Sequence, residues 1–121
     1  LIAFVKAICQ ALADLFSYHK IKLMTENNQA KKVGEIRHWM DQIKVARLKA
    51  SNCTISIKSK AFLVNYENSI CKAIKIQNIR DENKIDKEEL EITIEQEIEL
   101  KLIVKPEEKI KKKWQIYIIK D

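Results

Sequence analysis

Between Leu90 and Val104 the chain alternates residue by residue. Leu90, Ile92, Ile94, Ile98, Leu100, Leu102 and Val104 fall on one side, interrupted only by Gln96. Glu91, Thr93, Glu95, Glu97, Glu99 and Lys101 fall on the other. A period of two is that of a half-buried β-strand. At about 3.3 Å per residue these residues span roughly 50 Å, whereas ordinary strands run to about five or six residues. A strand this long must bend, so the segment predicts a strongly curved antiparallel sheet.

The rest of the second half follows the same period. Cys53, Ile55 and Ile57 alternate with Thr54, Ser56 and Lys58, after which the apolar phase moves to Phe62, Val64 and Tyr66. A phase change inside one strand predicts a β-bulge near Ser59–Ala61. A turn is expected at Asn65–Asn68, a strand over Ile70–Ile79, and a charged connection over Asp81–Asp86. Pro106 ends the long strand, Lys105–Lys113 form a charged turn, and Trp114–Ile119 is the last strand. Ile92, Ile94, Ile98, Leu100 and Trp114 are the expected core.

The first half reads differently. In Leu1–His19 the polar residues Lys6, Gln10, Asp14 and Ser17 make one narrow stripe at helical spacing. The spacing of Val33, Ile36, Trp39, Met40, Ile43, Ala46 and Ala50 predicts a second helix over Gln29–Ala50, capped by Asn27 or Asn28. Gly34 would cost that helix about 1 kcal/mol relative to Ala, or mark its start. The expectation is a single α+β domain over 1–121, with N-terminal helices packed on a curved antiparallel sheet of about four strands.

The chain carries a net charge of +6, unevenly spread. Residues 1–80 hold 14 Lys+Arg against 5 Asp+Glu, a net of +9, and residues 81–121 carry −3. The cations of the second helix, Lys31, Lys32, Arg37, Lys44, Arg47 and Lys49, are the candidate anion-binding residues, facing nucleic acid or an anionic membrane. With 20 Lys to three Arg, the chain favours charge over the Arg forks that read bases. That bias is also what an AT-rich genome produces. Leu1–Phe16 is apolar, but Lys6, Gln10 and Asp14 interrupt it before the 18 or so residues a span needs, so no transmembrane segment is expected. The chain starts at Leu1 rather than Met, which suggests a module or fragment of a larger protein.

Little in the sequence carries chemistry. Cys9, Cys53 and Cys71 are odd in number and form no C-x-x-C pair, so core thiols are expected, with a Cys53–Cys71 disulfide as the alternative. His19 and His38 are isolated, so no metal site is expected. One glycine leaves no phosphate-binding loop. The row Glu91, Glu95, Glu97 and Glu99 has a spacing compatible with two-carboxylate chemistry, but it shares its face with Lys101 and Thr93, and a solvated strand face is the expectation. Asn52-Cys53-Thr54 matches a glycosylation sequon.

The closing run KKWQIYIIKD, in which Trp114 is followed by alternating Ile116 and Ile118, after the long alternating run ELEITIEQEIELKLIV, resembles the cone-shaped nuclear transport factor two-like superfamily. It is similar in particular to the small domain that precedes amidase domains in clostridial proteins, where a basic helix leads into the sheet. Similar folds occur in the periplasmic part of type IV secretion assembly factors and in a matrix translocase subunit of mitochondria. The resemblance covers Gln29–Asp121 and implies a binding, dimerising or scaffolding module. No catalytic Asp/His pair of the enzymatic members falls on this chain.

The function expected is therefore a non-enzymatic interaction or scaffold domain, without cofactor, whose partner is another protein or the rest of a longer chain. A basic module on nucleic acid or anionic lipid is the first alternative. A small-ligand pocket inside the cone is the second.

Overall fold

The computed structural model describes residues 5, 17–65, 67, 70–105 and 109–120. Among the described residues nine strands follow one helix, and 57% of these residues are strand against 11% helix. Helix α1 covers residues 17–26. The strands are β1 (Ala30–Met40), β2 (Val45–Ala50), β3 (Cys53–Ser56), β4 (Ala61–Asn65), β5 (Ile70–Arg80), β6 (Asp86–Lys87), β7 (Glu89–Ile92), β8 (Gln96–Ile103) and β9 (Gln115–Ile119). The first sheet runs in the order β4-β9-β1-β2-β8-β5-β6, and β4 also pairs with β5. That last pairing, from Ala61↔Ile74 to Asn65↔Ile70, closes six antiparallel strands into a barrel and removes their free edges. The cone of helices on an open four-stranded sheet is thus replaced by a closed barrel, and the nuclear transport factor two-like resemblance does not hold.

The barrel is filled by its own side chains. Val33 and Ile36 from β1, Leu48 from β2, Leu63 from β4, Ile76 and Ile79 from β5, Ile98, Leu100 and Leu102 from β8, and Ile116 from β9 share one buried cluster. The ribbon formed by β3 and β7, registered Cys53↔Ile92 to Ser56↔Glu89, adds Cys53, Ile55 and Ile92 to it. A second cluster lies outside the barrel wall. There α1 sets Ile21, with Tyr18 and Met24, against Val64, Cys71, Tyr117 and Phe62.

The predicted second helix is a hairpin. Two β-bulges explain why it reads as helical. In β1, Lys32 pairs with Tyr117 and Gly34 with Ile116, leaving Val33 as an extra residue. Ile36 likewise pairs with Leu48 and His38 with Arg47, leaving Arg37 as an extra residue. Each insertion shifts the pleat, so buried Ala30, Val33 and Ile36 and half-buried Trp39 recur every three residues. The turn at residues 41–44 carries no Gly, Pro or Asn. Lys44 takes the left-handed conformation (φ 56°), and Asp41 alone of the usual turn residues punctuates the two strands. The chain's single glycine marks the crossing: a Cβ at Gly34 would collide with the Lys49 carbonyl oxygen of β2 and lie 3.1 Å from Leu48 Cδ1.

Other expectations shift for similar reasons. The expected helix Leu1–His19 lies mostly outside the described residues, and the described helix continues to residue 26. The phase change near Ser59–Ala61 is a turn between strands of different sheets. The long strand is broken at residues 93–95 into β7 and β8, and Ile94 is 79% exposed, so Ile94 is not core. Ile92, Ile98 and Leu100 are buried as expected, and Trp114 is half-buried against the core. Cys53 and Cys71 fall in separate clusters and are not bridged. The strands β5 and β9 lie where the alternation predicts them, to within a residue. No helix among the described residues is long and apolar enough to cross a membrane.

Candidate functional site

The six candidate cations are not on a helix, and the hairpin β1–β2 divides them. Arg47 is committed to the barrel's outer wall. Its Nη2 donates to Glu99 Oε2 at 3.3 Å, and its Nε stands 3.4 Å from Glu97 Oε1 without hydrogen-bond alignment. Lys44 Nζ donates to Asp41 Oδ1 at 3.0 Å in the turn. Lys32, Arg37 and Lys49 flank a shallow concavity that also holds Glu35 and Glu95. Lys31 faces a different cleft, of about 530 Å³, between the ribbon and β9.

Two members of the glutamate row, Glu97 and Glu99, are likewise bound up in ion pairs, while Glu91 and Glu95 are exposed. Lys84 Nζ donates to Glu99 Oε1 at 3.1 Å, opposite Arg47. Partial burial by itself would raise the Glu99 pKa, but the hydrogen bonds from Lys84 and Arg47 outweigh it and hold the carboxyl below its ordinary value of 4.5. Glu99 is therefore an anion at neutral pH, unlike a general acid, which needs a raised pKa. Neither His19 nor His38 is among its partners; both are exposed, and His19 meets the Tyr18 ring edge-on. Burial pushes the Cys53 thiol up, opposed by the nearby Lys31 charge, so it is held in the unreactive protonated form. Asn52 of the sequon is exposed at a left-handed turn (φ 50°). Among the described residues no cluster of His, Cys, Asp or Glu could hold a metal.

A different surface gathers more character. On the outer wall, where β4, β5 and β8 run side by side, a groove of about 820 Å³ opens beneath the β3–β4 turn. Register places its parts: Phe62 pairs with Ala73, Ala61 with Ile74, and Lys75 with Ile103. Its floor is aliphatic, with Ala73 and Ile103 exposed and Val104 half-exposed. Ala73 is the small residue that leaves the floor open beside the larger Phe62. Four lysines edge it, Lys58, Lys60, Lys75 and Lys105, all exposed, and no acidic residue is among its described lining.

The turn that roofs the groove is held by its own serines. Ser56 N–H donates to Ser59 Oγ at 3.0 Å, Lys58 N–H donates to Ser56 Oγ at 3.1 Å, and Ser59 N–H donates to the Ser56 carbonyl at 3.0 Å. The Lys60 carbonyl accepts from Ile119 N–H at 3.0 Å, which fixes the lysine's backbone to β9. Sequence reasoning missed this site because its lysines are scattered over 48 positions of chain, from 58 to 105. Only closure of β4 on β5 brings them together. The available signal was Ala73 and Lys75 on the exposed phase of β5, opposite buried Ile74 and Ile76.

No protein-family model matches the chain, and none of the curated proteins does. Among solved structures, the chain is similar to the crystal structure of the C-terminal domain of a putative U32 peptidase from Geobacillus thermoleovorans. The TM-score is 0.57 at 14% identity, over 73% of this chain and 91% of that one. The selenomethionine variant of the same domain matches with a TM-score of 0.55 at 12% identity, over 71% of this chain and 96% of that one. At this identity the likeness is one of fold: the barrel resembles that C-terminal domain.

Proposed function

We propose that this chain is a non-enzymatic accessory domain of a larger protein, whose work is to bind. The observation that carries the reading is the lysine-edged aliphatic groove. It is an exposed apolar surface with charges of one sign around it, and such patches on a barrel's outside mark interaction sites more than structural needs. The likeness to a C-terminal domain of a peptidase supports the accessory role by analogy of fold. The ionisable groups are consistent with it. Glu97 and Glu99 hold the wall through Arg47 and Lys84, and Cys53 is buried and protonated.

The test is made in the protein that carries this chain. Replacing Glu97, Glu99 or His38 by Gln is expected to leave turnover at saturating substrate unchanged. Asp at Ala73 together with Glu at Ile103 is expected to weaken binding of the substrate or partner. A folded single Glu→Gln variant that loses turnover outright would make this chain an enzyme and overturn the reading.

A further inference from the structure

We infer that the groove between β4, β5 and β8 is the docking site for an acidic polypeptide segment with aliphatic side chains. This rests on the accessory-domain reading and names the partner of its site. Charge selects the sign: Lys58, Lys60, Lys75 and Lys105 stand around the groove, and none of them is ion-paired with a described carboxylate. Other concavities of the barrel mix signs, with Glu35 and Glu95 beside Lys32, Arg37 and Lys49, and Glu89 and Glu91 beside Lys31. The groove is thus a region where positive charge is left for a partner.

The floor selects the class. Single-stranded nucleic acid is held by rings on which bases stack, and Phe62 is the one aromatic residue of the described lining, half-buried against α1's cluster. The floor is exposed Ala73 and Ile103 with half-buried Val104, which offers no stacking plane and suits Leu, Ile or Val side chains. The lysine ammonium groups at the edge suit carboxylates between them. A peptide alternating aliphatic and acidic residues presents both at the spacing of a strand.

The probe is a labelled alternating Glu-Leu peptide of about ten residues, an extended length that spans such a groove, titrated into the isotope-labelled chain and followed by amide chemical shifts. Shifts are expected to concentrate at residues 57–62, 73–75 and 103–105. The pair K75E and K105E, and separately A73D, are expected to weaken the probe about tenfold or more. These residues are exposed, so each variant should melt like the parent, which is checked first. K49E, on the β1–β2 hairpin, is expected to change affinity less than twofold. Equal binding of a Glu-Ser peptide, shifts centred on Lys32, Arg37 and Lys49, or preferential binding of a uridine-rich oligonucleotide through the same groove would each overturn the proposal. Should the groove variants leave the probe untouched while the carrying protein still needs this chain to bind its substrate or partner, the groove assignment falls and the accessory role stands.

Discussion

Replacing Gly34 by Ala has opposite consequences in the two readings of the β1–β2 region. In a helix interior the change would stabilise the protein by about 1 kcal/mol. In the barrel the new methyl group points at the Lys49 carbonyl oxygen, and Leu48 Cδ1 is 3.1 Å away. The oxygen belongs to backbone, and that backbone is pinned on both sides: Lys49 pairs with Glu35 of β1 and with Glu97 of β8. Relief therefore requires β1 and β2 to part around a bulge. Overpacking of this kind costs about 1–3 kcal/mol. The smaller entropy of the unfolded Ala chain returns about 0.4–1 kcal/mol of that at most. The net expectation is a loss of up to about 2.5 kcal/mol, toward the upper end because the atom struck is backbone, read as a lower urea midpoint at unchanged slope. An unchanged or raised midpoint would refute both the close crossing and the bulged hairpin.

Ile98→Ala and Leu100→Ala, both fully buried, should cost about 2–5 kcal/mol each in urea unfolding, while Ile94→Ala, at 79% exposure, should stay within about 0.5 kcal/mol. Glu99, with Asp41 and Asp86, has a depressed pKa in the fold, so each stabilises above its unfolded pKa and the gain is lost as pH falls through the folded one. Thermal melts should thus show stability declining below about pH 4.5, and Glu99→Gln should flatten that decline; an identical slope in the variant would reject the Glu99 contribution. The Cys53 thiol should resist an aromatic disulfide reagent in the native chain and react on unfolding, and rapid native labelling at Cys53 would contradict its burial.

What the sequence shows of this fold depends on where the pleat is regular. In β8 and β9 the alternation runs unbroken, so Ile98, Leu100 and Ile116 can be assigned to the core by position alone, whereas in β5 a bulge at Gln77 shifts the buried phase between Ile76 and Ile79. In β1 two bulges insert Val33 and Arg37 and turn a period of two into a spacing of three, which is also that of a helix. The long alternation hides the break at residues 93–95 because Ile94 keeps the phase while turning to solvent. Closure itself is a pairing between Ala61–Asn65 and Ile70–Ile74, a local hairpin that completes a ring only after four other strands are in place. The groove inherits that dependence: each of its lysines looks like an ordinary surface charge until β4, β5 and β8 are neighbours.

The measurement that bears most directly on the function is made on the larger protein, with Ala73→Asp and Ile103→Glu combined in this chain. Steady-state kinetics, or titration of the bound partner if the protein catalyses nothing, should show KM or Kd raised about tenfold or more, with kcat and the melting temperature held. A fall in kcat at unchanged KM, or no change in either quantity, would contradict the assignment of this barrel as a binding domain that works through its lysine-edged groove.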